Sequence, residues 1–471
     1  MILSELIITP LGIRGKTGKL TPNVALNFAL AFGTYLGRGK TIIVARDTRI
    51  TSRMYRNEVI NGLMSVGINV LNMGIAPTPC LIYNVKNFKA DGGVMITGSH
   101  IPEDWNGLKF IDGRTKTYIT EDVLNQIMKL YNSKKFNYVD YENLGKIKKH
   151  DGVTSYINGI LKQINLGVIK KRKFNVILDP VAGCGLTVTP QLFLRMRCKT
   201  RIINDSLNKS CPYFPRGIEP TPENLTELSK IVRESGADIG FAHDLDADRV
   251  VIAENDTGRI LEEDIGLALI IKDYLENKKP NDTHLVVNVA SSRIFYDLAK
   301  KYGAIYEEVP VGEIYITTRL RELVKNKIDA IGGEGSCGGI VFPEFNNTRD
   351  GPMACAKILE IMAKNKCSIS ELVKKLPKYF MKKMKITCPG NKYELIIEFL
   401  KEKYPNYELK TIDGAKFINK SRWFLIRPSK TEPIIRIFVE TDKEKKTDHL
   451  ANEIMGYISK ILEETSKSLE N

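Results

Sequence analysis

The sequence predicts an α/β protein of three similar repeats with mixed, mostly parallel sheets, then a smaller C-terminal α+β domain, all set round a central cleft. Three observations lead there. First, one pattern is written three times: a buried β-run, "TIIVARDTR" (41–49), "FNVILDPVAG" (174–183) or "HLVVNVASSR" (284–293), is followed each time by a helical stretch. Second, each segment later reaches an Ala-Asp or Asp-Ala pair, a glycine and a second short strand: "ADGGVMITGSH" (90–100), "ADIGFAHDLDADR" (237–249) and "DAIGGEGSCGG" (329–339). Strand, helix, strand alternation of this kind implies parallel strands joined by helical crossovers. Third, a polar cluster follows directly after that second strand in all three, and open α/β sheets bind ligands outside the carboxyl ends of their strands. Ser99, the run Asp244–Asp248 and Glu334 therefore hold corresponding places and converge on one cleft.

At 471 residues the chain exceeds what one core supports. Charged linkers near 132–150 and 374–386 help divide it into 1–148, 149–257, 258–376 and 377–471. In the last piece Tyr393–Lys403 reads as an amphipathic helix, "YELKTIDGAKFIN" and "SRWFLIRPSKTEPIIRIFVET" as strands around turns, and Asp448–Glu464 as a closing helix.

In chain order, the first polar element is "GIRGKTG" (12–18), which sets Arg14 between glycines; "RDTR" adds Arg46 and Arg49, and Arg14 is the better functional candidate. "MITGSHIPEDWNGLKF" (95–110) puts Ser99 and His100 side by side on a glycine turn, then adds Asn106-Gly107, read as a turn, and Lys109. An esterase nucleophile calls for Gly-x-Ser-x-Gly, and the second glycine is missing. With His100 adjacent in sequence, a Ser–His relay is awkward. A serine facing a bound cation suits phosphoryl chemistry instead, with Lys109 shifting protons, neutralising charge or simply solvated.

The cation follows from "DLDADRV" (244–250). Asp244, Asp246 and Asp248 stand at alternate positions of a tight loop and can turn oxygens toward one point, and so few protein ligands favour Mg²⁺ over a Ca²⁺ cage. An EF-hand is excluded, since Gly is missing at its sixth position and Glu at its twelfth. The competing reading is an acidic surface turn partnered by Arg249. In "GGEGSCGG" (332–339) the glycines allow close backbone approach, and Glu334 and Ser336 offer hydrogen bonds to polyol hydroxyls. In "RPSKTEPIIR" (427–436), Arg427, Ser429, Lys430 and Thr431 form a dense set of phosphate donors, with Arg436 closing it or pairing with an acid.

Seventy basic residues against fifty-five acidic give a net charge of +15, but the excess lies in short scattered pieces such as "KKRK" (170–173). Without an RGG tract or aromatic-basic interleaving, this reads as a solvated surface biased toward anionic substrates, not a nucleic-acid binder. No apolar stretch reaches membrane-spanning length, and no basic region precedes an apolar run at the amino terminus, so neither a membrane partner nor a secretory signal is expected and the expected compartment is the cytoplasm. The eight cysteines are scattered without a Cys-x-x-Cys pair, so neither a disulfide framework nor a zinc site is expected.

Taken together, the four motif loops resemble the α-D-phosphohexomutase family of phosphoglucomutases, phosphomannomutases and phosphoglucosamine mutases, in the family's order and across essentially the whole chain. "TGSHIPEDWNGLKF" resembles its phosphoserine loop, "DLDADR" its metal loop, "GEGSCGG" its sugar-specificity loop and "RPSKTEP" its phosphate-binding loop. The resemblance implies four domains round a central cleft. It implies phosphate on Ser99, one Mg²⁺ per chain shared by Ser99 with Asp244, Asp246 and Asp248, and Arg14, His100, Lys109 and Arg249 round the transferring group, with Lys109 as general base or acid. It further implies Glu334, Ser336 and Gly312 on the sugar, and Arg427, Ser429 and Thr431 on the phosphate that is not being transferred. The reaction implied is interconversion of hexose 1- and 6-phosphates (glucosamine, glucose or mannose), with a hexose 1,6-bisphosphate as intermediate and activator.

The chain departs from the family pattern at Gly98, where Ala is usual, at Ile101, where Asn is frequent, and most in the sugar loop. There Gly335, Cys337, Gly338 and Gly339 leave no histidine to read the sugar's 2-position, as in the Gly-rich loops of archaeal members. Rival readings are a Mg²⁺-dependent sugar-phosphate phosphatase with an aspartate nucleophile, a serine esterase and a nucleic-acid binder. A monomer and a homodimer formed through first-domain helices are equally compatible with the sequence.

Overall fold

The computed structural model describes residues 5–206, 214–278, 281–388, 392–420, 422–429 and 433–467. Each repeat is built on the same four-strand order, in which the opening β-run stands second. In the first repeat the order is Asn69–Ile75, Thr41–Arg46, Gly92–Ile96, Trp105–Asp112. In the second it is Lys199–Ile202, Asn175–Asp179, Ile239–His243, Val250–Ala253, and in the third Ile305–Val309, Thr283–Asn288, Asp329–Glu334, Gly339–Phe342. The first three strands of each set are parallel and the fourth is antiparallel. Helices such as Ser52–Ser65 and Thr78–Asn87 make the crossovers that parallel pairing requires. Sheets are mixed throughout, and most so in the first repeat, where Ile7–Thr9 and Gly12–Lys16 extend the antiparallel side.

Two segments read as linkers contribute strands. Ile147–Lys149 pairs in parallel with Asn69–Ile75. Phe380–Thr387 forms an edge strand of the fourth sheet, where Met381, Met384 and Ile386 anchor a run otherwise rich in lysine. Asn106-Gly107 is not a turn either but lies inside Trp105–Asp112. Gly107 is bare because a Cβ there would sit 2.7 Å from Ile13 O and 2.8 Å from Thr97 O, so its job is close approach of strands.

The fourth domain is a five-stranded antiparallel sheet in the order Phe380–Thr387, Ile434–Thr441, Arg422–Pro428, Ala415–Asn419, Glu408–Lys410, backed by Tyr393–Lys403 and Glu444–Lys467. It has its own core, including Phe417 stacked on Phe424, and packs Trp423 and Leu425 against Val289 and Ala290 of the third domain. By contrast one continuous core runs through the first three domains, for instance where Tyr83, Tyr156 and Phe345 meet. No described helix is long and apolar enough to cross a membrane. The seven described cysteines are all free thiols.

Candidate active site

Ser99 follows the strand Gly92–Ile96 on a loop that is held from below. Its backbone takes φ 52°, a left-handed conformation that costs a non-glycine residue free energy, so the surroundings must enforce it. Arg49 does so. Buried against Asp47, its guanidinium donates to Ser99 O (2.9 Å), Ile101 O (2.6 Å) and Pro102 O (2.7 Å). A Cβ on Gly98 would lie 2.8 Å from that guanidinium, so the bare position follows from Arg49's placement. Ser99 N is held by Thr97 Oγ1 at 2.8 Å.

The relay reading of Ser99 and His100 fails on geometry. Ser99 Oγ and His100 Nδ1 are 3.5 Å apart, and that nitrogen already accepts from Arg249 Nη2 at 3.0 Å. Burial, with Arg249 and Arg14 beside it, holds the imidazole well below its usual pKa and therefore neutral.

Asp244, Asp246 and Asp248 are fully buried at the end of the strand Ile239–His243, with ligand oxygens all within 4.8 Å of one another. Ala247 at φ 52° bends the loop between them. In each carboxylate one oxygen is bonded and the other is spare. Asp244 Oδ1 accepts from Arg249 N (3.3 Å), Asp246 Oδ2 from Thr78 Oγ1 (2.5 Å) and Lys109 Nζ (2.7 Å), and Asp248 Oδ2 from Arg349 Nη2 (2.6 Å). Asp244 Oδ2, Asp246 Oδ1 and Asp248 Oδ1 are buried with no hydrogen-bond partner among the described residues, though Arg249 Nε stands 4.0 Å from the first and the last. Buried polar atoms are rarely left unbonded, and three converging anionic oxygens are the donor set a hard divalent cation takes.

Charge explains the imbalance within the triad. Burial and the like charges of Asp248 and Asp246 push Asp244 well above the usual carboxylate range. Burial acts the same way on Asp246, but Lys109 and Thr78 outweigh it and hold that carboxyl below its usual value. Lys109 gains in turn: burial works to lower it, and Asp246 and Asp248 raise it overall, so it is an ammonium. The loop is closed underneath by His243, whose Nδ1 lies 2.8 Å from Arg249 O, while Arg216 ties His243 O (2.8 Å) to Asp179 (2.8 Å).

Three domains meet here. Lys109 and Thr78 come from the first, the aspartates and Arg249 from the second, and Arg349 from the third. Arg349 spans the last seam: its guanidinium reaches Asp248, Glu334 Oε2 (2.9 Å) and Glu313 Oε2 (3.2 Å). Asn288 Nδ2 lies 3.5 Å from Glu334 Oε1 and 3.3 Å from Ser336 Oγ, tying those two side chains together. Arg14, in the strand Gly12–Lys16, is half-buried, its Nε buried without a hydrogen-bond partner among the described residues, and desolvation lowers its pKa while Asp246 pulls it back. Gly312 takes φ 136° ahead of the helix Glu313–Lys325, a conformation only glycine adopts comfortably.

The fourth cluster is tied to that same turn. Asp413 Oδ2 accepts from Val311 N at 3.0 Å and from Arg427 Nε at 2.7 Å. Arg427 and Arg436 are cross-strand partners, and Arg436 is also opposite Lys385, so three cations form a row on one face of the fourth sheet. Ser429 N bonds Ile434 O at 2.9 Å, closing the strand ends. Lys430 and Thr431 lie outside the described residues.

Sequence reasoning thus named most side chains gathered here but passed over Thr78, Glu313, Arg349 and Asp413. "PTP" and "TRDG" look like ordinary turns; the signal present was a charged residue, Arg349, set in an otherwise neutral strand segment, "NNTR".

Residues 9–138, 154–258 and 262–380 match the descriptions "Phosphoglucomutase/phosphomannomutase, alpha/beta/alpha" domains I, II and III, and residues 367–456 the C-terminal domain of the same set. A "Phosphoglucomutase/phosphomannomutase" of Thermococcus kodakarensis is 37% identical, over 97% of this chain and 98% of its own. A "Phosphoglucosamine/phosphogalactosamine mutase" of Sulfurisphaera tokodaii is 36% identical, over 94% and 97%. Among solved structures, a phosphoglucomutase/phosphomannomutase family protein from Burkholderia thailandensis shares the fold, with a TM-score of 0.82 at 23% identity over 97% of this chain and 98% of that one.

Proposed function

The chain belongs to the phosphoglucomutase/phosphomannomutase family, and on that premise we propose that it interconverts hexose 1- and 6-phosphates through phosphate carried on Ser99. The observation that carries this reading is the triad. Three buried carboxylates each keep one spare oxygen, in a loop that Thr78 and Lys109 of the serine's own domain grip. A divalent cation bound there neutralises charge on a phosphoryl group at Ser99. The residues do the rest. Lys109 holds a proton beside the transferring group, Arg14 and Arg249 add positive charge, and Glu334 and Ser336 accept and donate to sugar hydroxyls. Arg427, with Ser429 and Arg436, grips the distal phosphate.

In the cycle, the Oγ–P bond of phosphorylated Ser99 breaks as the sugar's free hydroxyl oxygen bonds to phosphorus; the sugar hydroxyl gives up its proton to a base and the released Ser99 Oγ takes one up, and the return step reverses both transfers. The 1,6-bisphosphate turns end for end, and its other phosphate returns to Ser99. A hexose 1,6-bisphosphate supplied from outside charges an enzyme that has lost its phosphate. The phosphatase reading finds no support among the relatives named above, which carry mutase names.

Intact-mass measurement tests the reading. One phosphate on the purified chain, mapped to Ser99 and discharged by hexose 6-phosphate, supports it. Turnover that survives Ser99→Ala overturns it. Rates on glucosamine, glucose and mannose phosphates assign the sugar.

A further inference from the structure

We propose that Arg349 is a positioning residue that couples sugar recognition at Glu334 to cation binding at Asp248, occupying the space that a side chain at position 339 would need. The inference rests on the proposed reading of the site and adds a residue that the motif loops do not contain. Arg349 is only 7% exposed and faces three carboxylates from three separate elements, Asp248 at 2.6 Å, Glu334 at 2.9 Å and Glu313 at 3.2 Å. Its backbone N also donates to Glu313 at 2.9 Å, so main chain and side chain are held together. Gly339 lies beneath: a Cβ there would be 2.2 Å from Arg349 Cδ and 2.9 Å from Cγ. The bare Gly339 and the buried guanidinium are therefore two halves of one arrangement.

A planar guanidinium fixes the directions of its partners as well as their charge. Glu334 is thereby locked in register with the cation loop, so a sugar hydroxyl bound at Glu334 is aligned with the phosphoryl group at the cation. Charge adds a distinctive sign. Lys109 at 3.6 Å and Arg249 at 4.0 Å are the other cations at that carboxylate. Removing Arg349's charge makes Asp248 a stronger cation ligand while it releases Glu334. The two affinities then move in opposite directions, whereas a mere structural prop, once lost, weakens both.

Titration calorimetry with Mn²⁺ and with the tightest-bound of glucose, mannose and glucosamine 6-phosphate, on the full chain, tests this. Arg349→Met is expected to bind Mn²⁺ about threefold or more tightly and the sugar phosphate roughly ten- to a hundredfold more weakly. Arg349→Lys keeps the charge but not the fork, so Mn²⁺ affinity stays within about twofold while the sugar-phosphate loss persists. Gly339→Ala, which displaces Arg349, reproduces that loss in the parent and adds nothing in Arg349→Ala.

Parallel weakening of both ligands in Arg349→Met, or sugar-phosphate binding unchanged in either variant, overturns the proposal. Should Arg349→Met not fold, Arg349→Lys decides alone by the same sugar-phosphate criterion. Neither affinity depends on turnover. A chain that shows this coupling yet never isomerises a hexose phosphate overturns the mutase reading alone; an active mutase whose Arg349→Lys variant binds both ligands normally overturns the coupling alone.

Discussion

Lys109 Nζ lies 2.7 Å from Asp246 Oδ2 across the seam between the first and second domains, with both side chains buried. Burial by itself would favour the neutral amine, but Asp246 and Asp248 reverse that, so Lys109 is an ammonium, which on the proposed reading serves as the proton store for the transfer. Lys109→Met keeps the apolar stem and removes the proton. Expected is a fall in kcat of about 10²–10⁴-fold, with cation affinity unchanged or tighter. Steady-state kinetics with Mn²⁺ titration checks it, and a loss under tenfold removes Lys109 from proton handling.

Thr78 should control the cation requirement more than the chemistry. Its hydroxyl fixes Asp246 Oδ2 at 2.5 Å while its backbone N independently holds Asp246 O at 3.1 Å. In Thr78→Val the loop keeps its backbone tie, so the Mg²⁺ concentration for half-maximal rate rises several-fold, consistent with about 1 kcal/mol for one hydrogen bond. At saturating Mg²⁺ the rate recovers.

Arg49 bonds three carbonyls of the Ser99 loop, and its loss leaves them unsatisfied around a strained residue. Arg49→Ala is expected to cost roughly 2–4 kcal/mol in urea denaturation. Gly98→Ala is expected to cost less, about 1 kcal/mol, and nothing further once Arg49 is already Ala. Additive losses would show that the two positions do not share one space.

Asp413 joins the Gly312 turn to Arg427, so it sets how the fourth domain presents its cations. For Asp413→Ala the KM for hexose phosphate is expected to rise about tenfold, as for a lost hydrogen bond to a charged group, with kcat changed less. A pure kcat effect would assign Asp413 elsewhere.

Burial, only partly offset by Lys383, pushes Asp264 up to about 7. Because the folded value exceeds the unfolded one, this group is without penalty below about pH 4 and withholds stability as pH rises from there through 7. Asp264→Asn should match the parent near pH 4 and exceed it above pH 7, by at most about 4 kcal/mol, in denaturant titrations across that range.

Local pattern accounts for much of what the sequence revealed. Tyr393–Lys403 is a helix with the bounds its periodicity indicated, and the aspartates fall at the end of a strand as the repeat implied. Short polar edge strands escaped notice: "KTRI" and "IYEEV" carry little hydrophobic signal because only one side of each is paired and their burial is partial. Asn106-Gly107 misled because its glycine answers to a neighbouring strand, not to a turn. Thr78 and Arg349 were invisible for a related reason, since their partners lie 168 and 101 residues away and no spacing rule reports contacts of that range.

The spare oxygens of Asp244, Asp246 and Asp248 bear on the protein's lifetime as well as its turnover. A ligand that binds only the native fold adds RT ln(1 + [L]/Kd) to its stability, and here it would also quench repulsion among buried anions. Chelation should therefore lower the melting temperature and hasten proteolysis. Under divalent-ion starvation a cell would hold fewer copies of this chain, whatever its rate of synthesis.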